Sequence, residues 1–210
     1  VKFRRKSTPA PGSAPAPAST ESAPAESAPA GPGPYDVNQI PDDIDRVDLG
    51  ALLVAPVQGC DLRLQVNEKS NEVAAVILAG EEGAIEFQAF AAPRTGGLWD
   101  EVRPQIAQDV ARRGGETSER EGRFGTELLC KVPVDRKNPA SDVQISRIVG
   151  VDGPRWMLRA TFLGRPAIEP DNSDQWEHAL SLVAVRRGDL AMPLATQLPF
   201  VMPPEARRSE

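Results

Sequence analysis

Residues 62–91 read L-R-L-Q-V-N-E-K-S-N-E-V-A-A-V-I-L-A-G-E-E-G-A-I-E-F-Q-A-F-A. Leu62, Leu64 and Val66 alternate with Arg63 and Gln65, the period-two pattern of a half-buried strand. Asn67, Ser70 and Asn71 supply a turn, and the apolar run 73–78 returns as the next strand. After Gly80-Glu81-Glu82-Gly83 the alternation resumes, with Ile85, Phe87 and Ala89 on one side and Glu86 and Gln88 on the other. The preceding run 52–57 adds a fourth strand, expected at an edge because Pro56 lacks the ladder donor. Short polar turns join the four into an antiparallel meander.

Pro93 ends the meander. Trp99, Val102, Ile106 and Val110 then recur at three- and four-residue steps, predicting an amphipathic helix closed by Gly114-Gly115. Pro104 inside it either kinks the helix or marks where the helix proper begins. Thr126, Leu128, Cys130, Val132 and Val134 share one face of a further strand, residues 136–141 form a polar loop, and 143–151 is the next strand. Asp152-Gly153-Pro154 is a tight turn feeding Trp156, Leu158, Ala160 and Phe162 at period two. Asp171 to Asp174 offer capping oxygens to a second helix carrying Trp176, Ala179, Leu180 and Val183 on one side. The proline-containing tail from Met192, with Leu194, Leu198, Phe200 and Val201, is expected to wrap the domain.

Strands, helix, strands, helix define an α+β fold: a single, largely antiparallel twisted sheet of about seven strands with two helices packed on one face. The other face is then wet, as antiparallel sheets permit. Parity assigns it Arg63, Gln65, Glu86, Gln88, Glu127, Lys131, Gln144, Ser146, Arg155, Arg159 and Thr161. Arg147 resists the scheme, sharing parity with Val143, Ile145, Val149 and Val151. Either a bulge turns it outward or it is buried against a carboxylate.

The chain has 210 residues and a net charge of −6. Residues 1–34 hold eight prolines and eight alanines and are expected to be disordered behind a basic start. The sequence thus divides into this segment, one α+β domain over 35–200, and a flexible tail over 201–210. No apolar run of about eighteen residues exists, which excludes a transmembrane helix. Lys2, Arg4, Arg5 and Lys6 resemble the start of a signal peptide, but Ser7-Thr8-Pro9 stands where an apolar region is required, so a cytoplasmic location is expected. Those four cations outweigh Glu21 and Glu26, leaving −8 on the remainder, a balance that repels nucleic acid. Most of the ten aromatics belong to expected core faces, so no stacking platform exists either. Cys60 and Cys130 make no disulfide framework, and with one histidine they complete no zinc site.

Chemistry is sparse. His178 sits on the second helix beside Glu177, away from any nucleophile pattern. Thr95-Gly96-Gly97 reads as a strand-to-helix turn, and the pairs Glu81-Glu82 and Asp42-Asp43 as solubilising groups. No catalytic, cofactor-binding or metal-binding residue is assigned, and no cofactor is expected. The candidate binding surface is Phe90, Arg94, Trp99, Arg155 and Arg159, grouped around the strand-to-helix turn and the turn at Asp152 to Arg155. Phe90 enters because it shares parity with Glu86 and Gln88, which exposes an apolar anchor. The leading reading is a non-enzymatic binding or adaptor module that meets a protein partner through its polar sheet face and adjoining turns. The alternative is an enzyme gripping a small anion or metabolite with Arg94, Arg155 and Arg147 in a concave pocket between the first helix and the sheet. A second alternative is peripheral membrane association through the basic residues 2–6.

Several stretches in order carry a family resemblance: Val47-Asp48-Leu49-Gly50, Gln88-Ala89-Phe90-Ala91-Ala92-Pro93-Arg94, Gly97-Leu98-Trp99-Asp100-Glu101-Val102, residues 122–127 (G-R-F-G-T-E), and Gly150-Val151-Asp152-Gly153-Pro154-Arg155-Trp156. Over roughly residues 36–200 the chain resembles the actinobacterial family catalogued as domain of unknown function 3710. The resemblance implies a cytoplasmic protein with no assigned activity and a Pro/Ala-rich front of variable length, and it supplies no catalytic residues. Pro104 and residues 136–142 depart from the family pattern. A looser architectural likeness, to Mog1/PsbP-type sandwiches, implies a binding or assembly module by analogy of fold alone.

Overall fold

The computed structural model describes residues 33–40, 44–70, 72–134 and 142–203. The expected disorder of residues 1–32, the expected loop 136–141 and most of the expected flexible tail lie outside the described residues. In chain order the strands are β1 (Tyr35–Asp36), β2 (Val47–Asp48), β3 (Leu52–Val54), β4 (Cys60–Val66), β5 (Val73–Gly80), β6 (Gly83–Ala91), β7 (Glu116–Gly122), β8 (Gly125–Pro133), β9 (Val143–Gly153), β10 (Trp156–Gly164) and β11 (Ala184–Val185). The helices are α1 (Leu98–Arg112), α2 (Arg165–Ile168) and α3 (Asp174–Ser181). Pro104 sits inside α1 on its exposed side without ending it.

Seven strands form one antiparallel sheet in the order β4-β5-β6-β10-β9-β8-β7. It is two meanders, one on each side of α1 in sequence, joined where β10 pairs along the whole of β6. The α+β class and the seven-stranded sheet agree with the sequence. The membership differs at one place. Residues 52–57 were expected as an edge of this sheet, but β3 lies inside a second, four-stranded sheet of order β1-β11-β3-β2. It is buried on both sides, and Pro56 falls beyond its end. The seventh place is taken by β7, whose sequence E-T-S-E-R-E-G has no apolar row.

The helices do not share a face, which corrects the expected packing. The registers Leu128↔Ile148 and Cys130↔Ser146 put the apolar row of β8 on the side where β9 shows Ile148. The apolar rows of β6 and β10 (Ile85, Phe87, Ala89; Trp156, Leu158, Ala160, Phe162) lie with Val149 on the opposite side. Each half of the sheet therefore needs its own cover. Helix α1 lies over β7, β8 and β9, its Leu98, Trp99 and Val110 packed with Leu128, Cys130, Val132 and Ile148. On the other side α3 and the four-stranded sheet enclose Phe87, Phe162, Leu180, Leu52 and Val185. Trp99 lies directly on Gly150, where any β-carbon would occupy the indole's place.

Arg147 takes the second of its two expected solutions. It is fully buried on the α3 side, with Nη2 3.1 Å from Glu177 Oε1 and Nε 3.8 Å from Glu127 Oε2. Nη1 donates to Ser173 Oγ (3.1 Å) and to the Pro170 carbonyl (3.3 Å), and the guanidinium lies 4.1 Å over the Phe162 ring. Glu127, expected on the wet face, is its buried partner. Cys60 on the edge strand β4 and Cys130 on β8 stand five strand spacings apart, roughly 24 Å, and both are free thiols.

The tail closes the fold as expected. Strand β5 leaves β6 beyond the pair Val76↔Phe87, and the chain at 195–198 bonds to β6 there. Ala195 and Leu198 donate to the carbonyls of Ala91 and Ala89, and Ala91 donates to that of Thr196. Leu198 and Phe200 are buried by this, whereas Leu194 and Val201 stay exposed.

Candidate functional site

Because α1 covers only β7–β9, its side of the sheet is half bare among the described residues. The bare part presents Arg63 and Gln65 from β4, Ile77 and Ala79 from β5, Glu86, Gln88 and Phe90 from β6, and Arg159, Thr161 and Leu163 from β10. These side chains are half-buried or exposed, while Val76, Leu78, Ile85 and Phe87 behind them are at most 2% exposed. Arg63, Gln65, Glu86, Gln88, Arg159 and Thr161 are thus where parity assigned them. Along the border with α1 runs a groove of about 330 Å³, walled by Ile106 and Arg113 on the helix side and by Glu86, Arg159, Thr161 and Leu163 on the sheet.

Phe90 and Arg159 come together on this bare half. The Arg159 guanidinium lies 5.3 Å over the Phe90 ring and donates to Gln88 Oε1. Burial lowers its pKa from the ordinary arginine value, with Glu86 acting in the opposite sense. Trp99 occupies the next position along the same row, since Arg159 pairs with Gly150, but it is only 5% exposed. It is a core residue that ties α1 to β8 through Nε1 and the Thr126 carbonyl at 2.7 Å, not a surface anchor. Asp152 holds the start of the same helix, accepting from the Leu98 and Trp99 amides at 3.2 and 3.3 Å. The thiol of Cys130 lines the groove, and burial raises its pKa against the lowering effect of a bond to Ser146. A concave space between helix and sheet therefore exists, but its arginines are Arg113 and Arg159. Arg147 faces the other side, and Arg94 is exposed on the strand-to-helix turn with no partner among the described residues.

Arg155 belongs to a different place. It follows Pro154 in the β9–β10 turn with φ +65°, and it borders an open cleft of about 1070 Å³. Residues 36–40 and 186–189 supply the other walls, bringing Arg186 and Arg187 beside it. Arg186 donates to both Asp48 oxygens at 2.9 Å and to the Gly50 carbonyl at 2.8 Å, which holds the Asp48 carboxyl below its ordinary range. Arg187 donates through Nε to the Arg155 carbonyl (3.1 Å) and through Nη1 to that of Leu190 (3.0 Å). Asp36 is turned inward, taking the Trp156 indole N–H at 2.9 Å. Sequence reading named Arg155 but missed Arg186 and Arg187. Their signal was an Arg-Arg-Gly directly after the buried pair Ala184-Val185, at φ +67° for Gly188.

His178 is exposed on α3. No helix among the described residues is long and apolar enough to cross a membrane.

Fold and surface together define an α+β module with one half-covered sheet and an arginine-bearing cleft at its turn end. The family described as "Protein of unknown function (DUF3710)" matches residues 33–209, and the chain belongs to that family. No curated protein matches it.

Proposed function

We propose that the chain is a binding module that takes a helix of a protein partner against the bare half of its large sheet. The observation that carries this reading is the unequal cover of one sheet side: α1 lies on β7–β9 and makes no comparable contact with β4–β6. Three further strand spacings span about 15 Å, enough for one helix about 10–12 Å across laid beside α1. Arg63, Ile77, Glu86 and Thr161 stand in one row across this face, Gln88 and Arg159 in the next, and Leu163 and Phe90 lie at its two ends. Such a surface suits an amphipathic helix whose docking side carries charges of both signs among its apolar residues.

The test begins with the partner that co-purifies from native cells. Arg159→Glu and Ile77→Asp are expected to release it, and Glu101→Lys on the exposed side of α1 to retain it. A photo-crosslinking group at position 88 should attach to a helical segment of that protein. Retention of the partner by both bare-face variants, or crosslinks only from the outer side of α1, overturns the reading.

A further inference from the structure

The cleft beside the β9–β10 turn carries an inference independent of the docking face. Arg155 stands at the third position of the turn Gly153-Pro154-Arg155-Trp156, after a proline and in the left-handed region. That is the seat that glycine or asparagine fills without strain. A long cationic side chain is a costly choice there, and the fold gains nothing visible from it: the guanidinium makes no hydrogen bond or ion pair with any described residue. Strain kept at a position the fold does not need is a mark of function.

The neighbouring cations divide by role. Arg186 is spent on Asp48 and Gly50. Arg187 is fixed in place by two carbonyls, one of them that of Arg155 itself, and no carboxylate among the described residues neutralises it. Carbonyl anchoring orients a guanidinium fork while leaving its full charge for a ligand. The acid nearest by lining, Asp36, is committed to Trp156 Nε1 and to the Asn38 amide, and Asp189 is exposed at the rim. Val37, Ile40 and Pro154 add apolar wall, and the volume exceeds what a lone ion fills.

We infer that this cleft binds a phosphomonoester carrying a planar or apolar body, its phosphoryl group held between Arg155 and Arg187 in the paired geometry guanidinium forks favour. Titration of the full chain with phenyl phosphate, inorganic phosphate and benzoate tests it, read by amide and indole NMR shifts and by Tm. Phenyl phosphate is expected to raise Tm and to shift the Gly188 amide and the Trp156 indole N–H. Inorganic phosphate and benzoate should each bind about tenfold more weakly, the loss of one good set of contacts. Arg155→Asn relieves the backbone, so its Tm should equal or exceed that of the native chain while its affinity falls about tenfold. Arg94→Asn removes an exposed arginine outside the cleft and should bind as the native chain does. Absence of shifts at millimolar phenyl phosphate overturns the inference. So does equal binding by Arg155→Asn, equal weakening by Arg94→Asn, or benzoate binding as tightly as phenyl phosphate.

Discussion

Arg147 and Glu127 show why parity alone misreads a charged side chain. Arg147 breaks the alternation of its strand while Glu127 keeps that of its own, and the register Leu129↔Arg147 sets them within reach on the α3 side. Gly122 leaves room for the Glu127 carboxylate, which a β-carbon there would strike. Arg120 approaches the same carboxylate from β7 at 3.6 Å, yet neither Glu127 oxygen accepts a hydrogen bond from a described residue. Such a cluster offsets its own desolvation only in part. Burial accordingly raises the Glu127 pKa above its ordinary 4.5, Arg147 and Arg120 pulling the other way. The sign follows: the folded state favours the protonated acid, so the stability this group contributes is full below 4.5 and lost as pH rises through its folded value. Asp48 behaves oppositely. Held down by Arg186, it contributes stability above 3.8 that is lost as pH falls through its own folded value. Glu127→Gln is therefore expected to gain on the native chain as pH rises from 4.5 to 8, measured by urea unfolding across that range. A difference that shrinks with pH would show the two arginines prevailing over burial.

Among the elements, those with an unbroken apolar rhythm were legible and those defined by pairing were not. The alternating runs at 62–66, 85–91 and 156–162 and the apolar stretches at 73–78 and 143–151 all became strands of the large sheet. Strand β7 carried no such rhythm; its existence rests on the ladder to β8 and the turn between Gly122 and Gly125. The side taken by each helix was equally hidden. It depends on which residue of β8 faces which residue of β9, a pairing that neither strand states on its own. The candidate site suffered the same way: Phe90 and Arg159 were found by parity, whereas Arg187 reaches Arg155 from another sheet. Asp152 links these levels, since one carboxylate near the end of β9 caps α1 on the side of the sheet that the helix covers. Asp152→Ala is expected to cost about 0.5–2 kcal/mol, the usual range for a lost cap. Amide exchange should quicken first at Leu98 and Trp99 while β4 and β5 keep their protection.

At the scale of the molecule, the tail ties the first meander to the four-stranded layer. Phe200 bridges to Gly50 and to Val73, so the final described stretch touches the four-stranded layer and the large sheet together. Leu198, 1% exposed, plugs the space that β5 vacates beside β6. Leu198→Ala should cost about 2–5 kcal/mol, the range for emptying a buried leucine site, and lower the unfolding midpoint without altering the slope against urea. The order of synthesis gives this arrangement a further meaning. The wedge lies downstream of every strand it locks, so a nascent chain halted short of it displays an open seam with the Ala91 amide and the Ala89 and Ala91 carbonyls unpaired and apolar side chains behind them. Such an intermediate is a natural client for chaperones, and a protease that cuts before residue 195 would reopen the same seam in the finished protein.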